Sequence, residues 1–172
     1  MSAGYLPPFL EPFRLCDAHA RITGRVEGAR LGRLREFSVG ESSDIDVDLQ
    51  FSRDAEKRAR VTGTVDGSVR LTCERCLGLL DFPVHAEVSL LAIPAGTEVP
   101  ELADDPDILE VEDERASLAT LVEEEILLAL PQYPVHDDCD MVPYDRGAEA
   151  DAGRQDEKPN PFAALAKLKQ KD

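Results

Sequence analysis

Apolar and polar residues alternate without a fault along 45–51, "IDVDLQF". Ile45, Val47, Leu49 and Phe51 fall on one face and Asp46, Asp48 and Gln50 on the other, which predicts a half-buried strand with one wet side. The stretch 59–73, "ARVTGTVDGSVRLTC", reads as a hairpin about Asp66-Gly67. A three-residue loop there pairs Val65 with Val69 and Val61 with Cys73, so one face becomes apolar; a two-residue loop would mix the faces. In "FPVHAEVSLLAI", Phe82, Val84, Ala86, Val88 and Leu90 again share a face. The connections are too short for parallel crossovers, so these strands form an antiparallel meander, open or barrel-like.

The period changes at residues 117–131, "SLATLVEEEILLALP". Leu118, Leu121, Val122, Ile126 and Leu130 recur at helical spacing behind Ser117 as N-cap, and Pro131 stops the helix. Glu123, Glu124 and Glu125 spread too far around it to form one site and read as a solvated face, with one or two meeting a basic partner. The fold class is therefore α+β: a meander sheet packed by one main helix. Around it stand an extended N-terminal arm (1–18, with Pro7, Pro8 and Pro12), a core domain (19–136), an acidic mobile linker (137–158) and a short amphipathic helix (159–172). That last helix begins at Asn160-Pro161, places Lys167, Lys169 and Lys171 in its final turns, and is too short to persist alone, so it must dock. The segment 98–114 reads as an acidic loop with a short strand at "ILEVE".

Charge sharpens the picture. The 172 residues carry a formal charge of −16, split into −2 over residues 1–97 and −14 over 98–172. The second part should repel phosphate backbones and attract basic partners. The first contains a run with Arg21, Arg25, Arg30, Arg33 and Arg35, which reads either as a solvated face or as a contact for RNA. No apolar run is long enough for a membrane span, and the N-terminus lacks the pattern of a secretory signal, so a reducing cytoplasm is the expected compartment.

In that compartment closely spaced cysteines bind metal or do redox work more often than they form structural bridges. Cys73 and Cys76 lie two residues apart between two predicted strands. A thioredoxin-type pair belongs instead at the start of a helix, where the dipole lowers a thiol pKa. A zinc knuckle suits the position better, with turn amides pointing at the sulfurs, although Gly78 falls one residue late for such a turn. A structural zinc site wants four ligands, and "PVHDDC" offers His136 and Cys139 just after the helix. The alternatives remain a buried Cys73 and an ordinary acidic loop. Cys16 reads as a lone thiol; His19 and His85 have no partner suggested by spacing. "HAE" near "CERC" has the wrong order for a zinc deaminase, and no phosphate loop, nucleophile turn or H-E-x-x-H occurs, so there is no positive case for an enzyme.

"LTCERC", "LVEEEILLALPQYPVHDDC" and "KPNPFAALAKLK" occur in this order in the YceD family, the large ribosomal RNA subunit accumulation proteins, and the chain resembles that family over most of its length. The resemblance implies a cytoplasmic factor for the synthesis, processing or stability of large-subunit (23S) ribosomal RNA, with metal and nucleic acid as its candidate ligands. It carries over Cys73, Cys76 and Cys139 as metal positions, with His136 as the fourth. Arg75, inside the motif, is expected to touch a partner or the acidic helix, and Phe162 and Leu165 to contact a partner from the tail. The combined expectation is a non-enzymatic ribosome biogenesis factor that binds the large-subunit precursor, its RNA or its basic proteins, with zinc as a candidate structural ion. A thiol-redox or zinc-binding protein is the competing class.

Overall fold

Strict alternation of side chains, rather than turn chemistry, sets the architecture. A computed structural model describes residues 4–40, 43–99 and 106–141. The chain divides into residues 1–140 and 141–172, and the elements below belong to the first unit. In chain order they are β1 (Phe9–Leu10), α1 (Pro12–Asp17), β2 (Arg21–Val26), α2 (Leu34–Phe37), β3 (Ile45–Arg53), β4 (Ala59–Thr72), β5 (Leu79–Pro94), β6 (Asp107–Val111), β7 (Ala116–Ser117) and α3 (Leu118–Ala129). One open sheet runs β2-β3-β4-β5-β6, and β1 pairs separately with β7. The class is α+β, as the sequence predicts, and the sheet does not close into a barrel. Strands β2 to β5 form the antiparallel meander, but β6 joins β5 in parallel, from Leu90 opposite Asp107 to Pro94 opposite Val111.

The predicted strand at 45–51 is present, with Ile45, Val47, Leu49 and Phe51 buried. The predicted hairpin at Asp66-Gly67 is not. Strand β4 passes straight through these residues, and Val65 faces Ala86 rather than Val69, while Val61 faces Leu90 rather than Cys73. Ala59, Val61, Val65, Val69, Leu71 and Cys73 all lie buried on one face. Gly63 and Gly67 continue that same odd-numbered series, so the alternation never breaks. They are packing glycines. A Cβ at Gly63 (φ +153°) would overlap the Asp48 carbonyl oxygen, and one at Gly67 would overlap Ile45 Cδ1. The true turns lie at the ends of the strand. Asp54 closes the first by accepting the N–H groups of Glu56 and Arg58, and the cysteine turn closes the second.

Helix α3 forms where the period predicts it. The Ser117 hydroxyl accepts the Thr120 N–H as N-cap, and Leu118, Leu121, Val122 and Ile126 are buried against β5, β4 and β2. The adjoining glutamates do not form the solvated face expected of them. Glu123 is buried and accepts the Leu34 N–H at the start of α2 (2.9 Å), Glu124 pairs with Arg33, and Glu125 is buried. The N-terminal residues also depart from an extended arm. Pro12 occupies the first turn of α1, where its missing N–H costs nothing, and α1 packs on β3 and β4 with Cys16 buried. Residues 142–158 of the expected linker and the expected helix at 159–172, with Phe162 and Leu165, lie outside the described residues.

If β4 is one strand pressed against Asp48, Gly63→Ala should cost about 3 kcal/mol or more, because the clash is with backbone and cannot rotate away. Urea denaturation measures this; a change below about 0.5 kcal/mol would contradict the packing.

Candidate metal centre

Cys73 ends the inner-face series of β4, and Cys76 sits in the turn that returns the chain to β5. Two backbone bonds shape that turn: the Cys73 N–H donates to the Gly78 carbonyl (2.8 Å), and the Leu77 N–H to the Cys73 carbonyl (2.9 Å). The residue that takes the left-handed conformation is Leu77, at φ +58°. Gly78 lies one place later. A Cβ there would lie 3.4 Å from Cys76 Sγ and 3.9 Å from the His136 ring. Those are ordinary contact distances, so glycine is not required at 78, and the turn's conformational cost is carried by Leu77.

The second pair arrives from α3. Pro131 ends the helix, and the Glu74 N–H holds the Pro134 carbonyl at 2.8 Å, which ties the following segment to the cysteine turn. The ligand atoms of Cys73, Cys76, His136 and Cys139 consequently all lie within 4.8 Å of one another. Cys73 Sγ and Cys139 Sγ are 3.7 Å apart, and Cys76 Sγ stands 3.3 Å from His136 Nδ1. In a tetrahedral site with metal–sulfur bonds of about 2.3 Å, two sulfurs stand about 3.7–3.8 Å apart. The four side chains can therefore hold a metal ion as they stand. All four cysteines of the chain are free thiols.

Outer contacts orient these groups. His136 Nε2 lies 2.9 Å from the Leu79 carbonyl, which can only accept, so the ring proton is on Nε2 and Nδ1 keeps its lone pair toward the sulfurs. Burial opposes a charge on Cys73, but the amide N–H groups of Cys76, His136 and Arg75 outweigh it and hold the thiol down to about 5. Burial, followed by the hydrogen bonds its thiol donates to Cys73 and Cys76, pushes Cys139 up to about 11. Arg75 Nη1 donates to the Cys139 carbonyl (3.0 Å), binding the second pair to the first.

The arginine run is placed otherwise. Arg21 and Arg25 share the outer face of β2 and pair with Asp48 and Asp46 of β3, the first diagonally and the second directly opposite (2.8 and 2.9 Å). Arg33 pairs with Glu124 on the helical side (3.3 Å), Arg30 reaches the Leu6 carbonyl (3.5 Å), and Arg35 the Ala29 carbonyl. The five do not converge, and each has a partner within the chain. His85, which spacing leaves alone, pairs with Asp66 at 2.5 Å. That pair is hidden by the hairpin reading, since only a straight β4 sets Asp66 opposite His85. Sequence reasoning also misses Leu79 and Pro134, which act through carbonyl oxygens and so carry no side-chain signature.

Fold and site together define a small α+β protein whose sheet is crossed by one helix and whose cysteine turn gathers three thiols and an imidazole able to hold a metal ion. The chain belongs to the family described as Large ribosomal RNA subunit accumulation protein YceD, whose profile matches residues 61–169. It is 29% identical over 169 residues to the Large ribosomal RNA subunit accumulation protein YceD of Haemophilus influenzae, covering 96% of this chain and 97% of that one. No solved structure matches it.

In metal-free, reduced protein one thiolate should persist into the acid range. A pH titration of the thiolate absorbance near 240 nm is expected to show one ionisation near 5, lost in Cys73→Ser. A titration that Cys73→Ser leaves unchanged would contradict the electrostatics of the cluster.

Proposed function

We propose that this chain is a cytoplasmic, non-enzymatic factor that supports accumulation of large-subunit (23S) ribosomal RNA by binding the precursor particle, with a structural zinc ion at Cys73, Cys76, His136 and Cys139. The observation that carries the reading is the near full-length likeness to a relative named for large ribosomal RNA subunit accumulation. The family profile spans both halves of the cluster and the helix between them.

The residues suggest how binding is organised. When bound, zinc would link the β4–β5 turn to the segment after α3, joining Cys76 and His136 across a separation of 60 positions. The chain's own part is to supply the thiolates, hold the imidazole tautomer through Leu79, and clamp both segments through Arg75 and the Glu74–Pro134 bond. Direct RNA contact through Arg21 and Arg25 requires phosphates to displace Asp48 and Asp46. Exposed pairs of this kind contribute only about 0.2–1 kcal/mol each, so exchange is feasible but confers no strong affinity. With −14 over residues 98–172, basic proteins of the precursor are the favoured partners. A thiol-redox role draws on the held-down Cys73 thiol, but Cys73 and Cys76 occupy a hairpin turn rather than a helix start.

Protein purified under reducing conditions should contain one zinc per chain by mass spectrometry of the metal, and Cys76→Ser or Cys139→Ser should weaken zinc affinity at least tenfold. Stoichiometric absence of metal, with Cys73 and Cys76 cycling as a disulfide, would favour the redox reading instead. In cells depleted of the protein the ratio of 23S to 16S RNA should fall, returning with the wild-type chain but not with Cys73→Ser/Cys76→Ser. An unchanged ratio on depletion would sink the proposed role.

A further inference from the structure

We propose that the free edge of β6, with the groove between β6, β7 and α3, takes up an extended basic segment of a partner protein as an added strand. The sheet has two edges, and the described chain closes one of them. Along β2 the Leu6 N–H donates to the Arg25 carbonyl (3.0 Å) and the Arg25 N–H to the Gly4 carbonyl (3.2 Å). At the other end, β5 is the only strand paired with β6 among the described residues. The Val111 carbonyl accepts the Ala95 N–H, so the odd-numbered residues of β6 turn their main-chain groups to β5. Those of Ile108 and Glu110 consequently point outward along the edge, which is the template an added strand needs.

The turn after β6 keeps that edge open. Asp113 and Glu114 both have positive φ, +47° and +63°, as the centre of a two-residue hairpin loop requires, and the Arg115 N–H donates to the Glu112 carbonyl (2.8 Å). The hairpin begins there and goes no further. Ala116 and Ser117 pair with Leu10 and Phe9 of β1 instead of with β6. A groove of about 830 Å³ lies between the separated arms, with Thr120 and Leu121 of α3 on a third side. Specific sites span about 300–1,000 Å³. Successive residues of a strand face opposite sides, so a cavity that touches Ile108, Leu109 and Glu110 in turn runs along the strand's edge. Phe9, 56% exposed, adds an apolar contact to the wall.

Charge in the lining itself selects the occupant. Glu110, Glu112, Asp113 and Glu124 line the groove against one base, Arg115. Arg33 holds Glu124, and the other three acids come from β6 and its turn, beside the outward main-chain groups. An extended segment that pairs with β6 and sets Lys or Arg beside these carboxylates satisfies both at once. Phosphate backbones are repelled there, and pairing two copies of the chain edge to edge would set the same acids against one another. The inference deepens the proposed function by naming the face and the partner's conformation, and rests on that reading only for the partner's origin.

Three fluorescein-labelled nine-residue peptides test it by anisotropy on the full chain at 0.15 M salt. The first alternates lysine and valine; the second has glutamate for lysine; the third keeps the lysines but is N-methylated along its backbone and so cannot donate to a strand. The first should bind at least tenfold more tightly than either control, and the Ile108 and Glu110 amides should become protected from hydrogen exchange when it binds. Glu110→Lys should weaken binding at least fivefold. Ile108→Pro removes an outward N–H and none that β5 uses, and should weaken binding at least tenfold. Glu110→Lys, at an exposed position, decides the matter if Ile108→Pro destabilises the fold. Equal binding of either control, undiminished binding in either folded variant, unprotected amides at 108 and 110, displacement by a 15-nucleotide single-stranded RNA, or dimerisation of the chain through β6 would each overturn the proposal. If the peptide test fails while depletion still lowers the 23S to 16S ratio, the surface is wrong and the role stands. If the peptide binds as expected and depletion changes nothing, the role is wrong and the surface stands.

Discussion

The hydrogen bonds converging on Cys73 Sγ are what the rest of the molecule depends on. Cys73 directly follows β4 and continues its inward-facing series, yet its sulfur accepts the amide of His136 from beyond α3. One atom therefore joins the strand register to the helix. The sulfur of Cys139 stands 3.7 Å away, and two thiolates so close would repel. The fold resolves this by asymmetry: amides favour the charge on Cys73, while burial and the neighbouring sulfurs disfavour it on Cys139. The cluster rests with its charge concentrated on one sulfur and can ionise further when a cation compensates. A cation held by the four groups would supply that compensation.

The same logic explains the long strands. β4 and β5 run side by side from Ala59 opposite Ala92 to Thr72 opposite Leu79, which carries the cysteine turn to the far end of the sheet. A hairpin at Gly67 would have stopped that extension and left Cys73 folded back toward Val61. Removing side chains at Gly63 and Gly67 lets β3 approach closely enough for Ile45 and Leu49 to pack into the spaces, so the glycines straighten the path to the site instead of bending it.

What could be read from the sequence follows from the range of each signal. The strand at 45–51, helix α3 with its Ser117 cap, and the two cysteine-containing pairs are local patterns, and all three are present. Their assembly into one cluster rests on the Glu74–Pro134 backbone bond, which leaves no trace in residue identity. Reading a turn at Asp66-Gly67 ranks a local signal above a face alternation that continues on both sides of it. Burying that whole apolar face stabilises the chain more than one favourable turn does. Glu123 is legible as a helix residue but not as the acceptor for Leu34, 89 positions away. The parallel pairing of β6 has no signature at all in a pattern of alternation, because alternation does not encode direction.

Charge is distributed by a comparable division of labour. Arg25 faces Asp46 across the register and Arg21 reaches Asp48 diagonally, so the charges of β2 and β3 are paired on the sheet's outer face. The excess of acid is concentrated instead in the stretch from β6 through α3 to the cluster, where one arginine stands against 11 acids. A partner meeting the sheet's outer face must break existing pairs before forming its own. The distribution of ion-pair partners within the chain, more than its net charge, therefore decides which of its charged groups are open to another molecule.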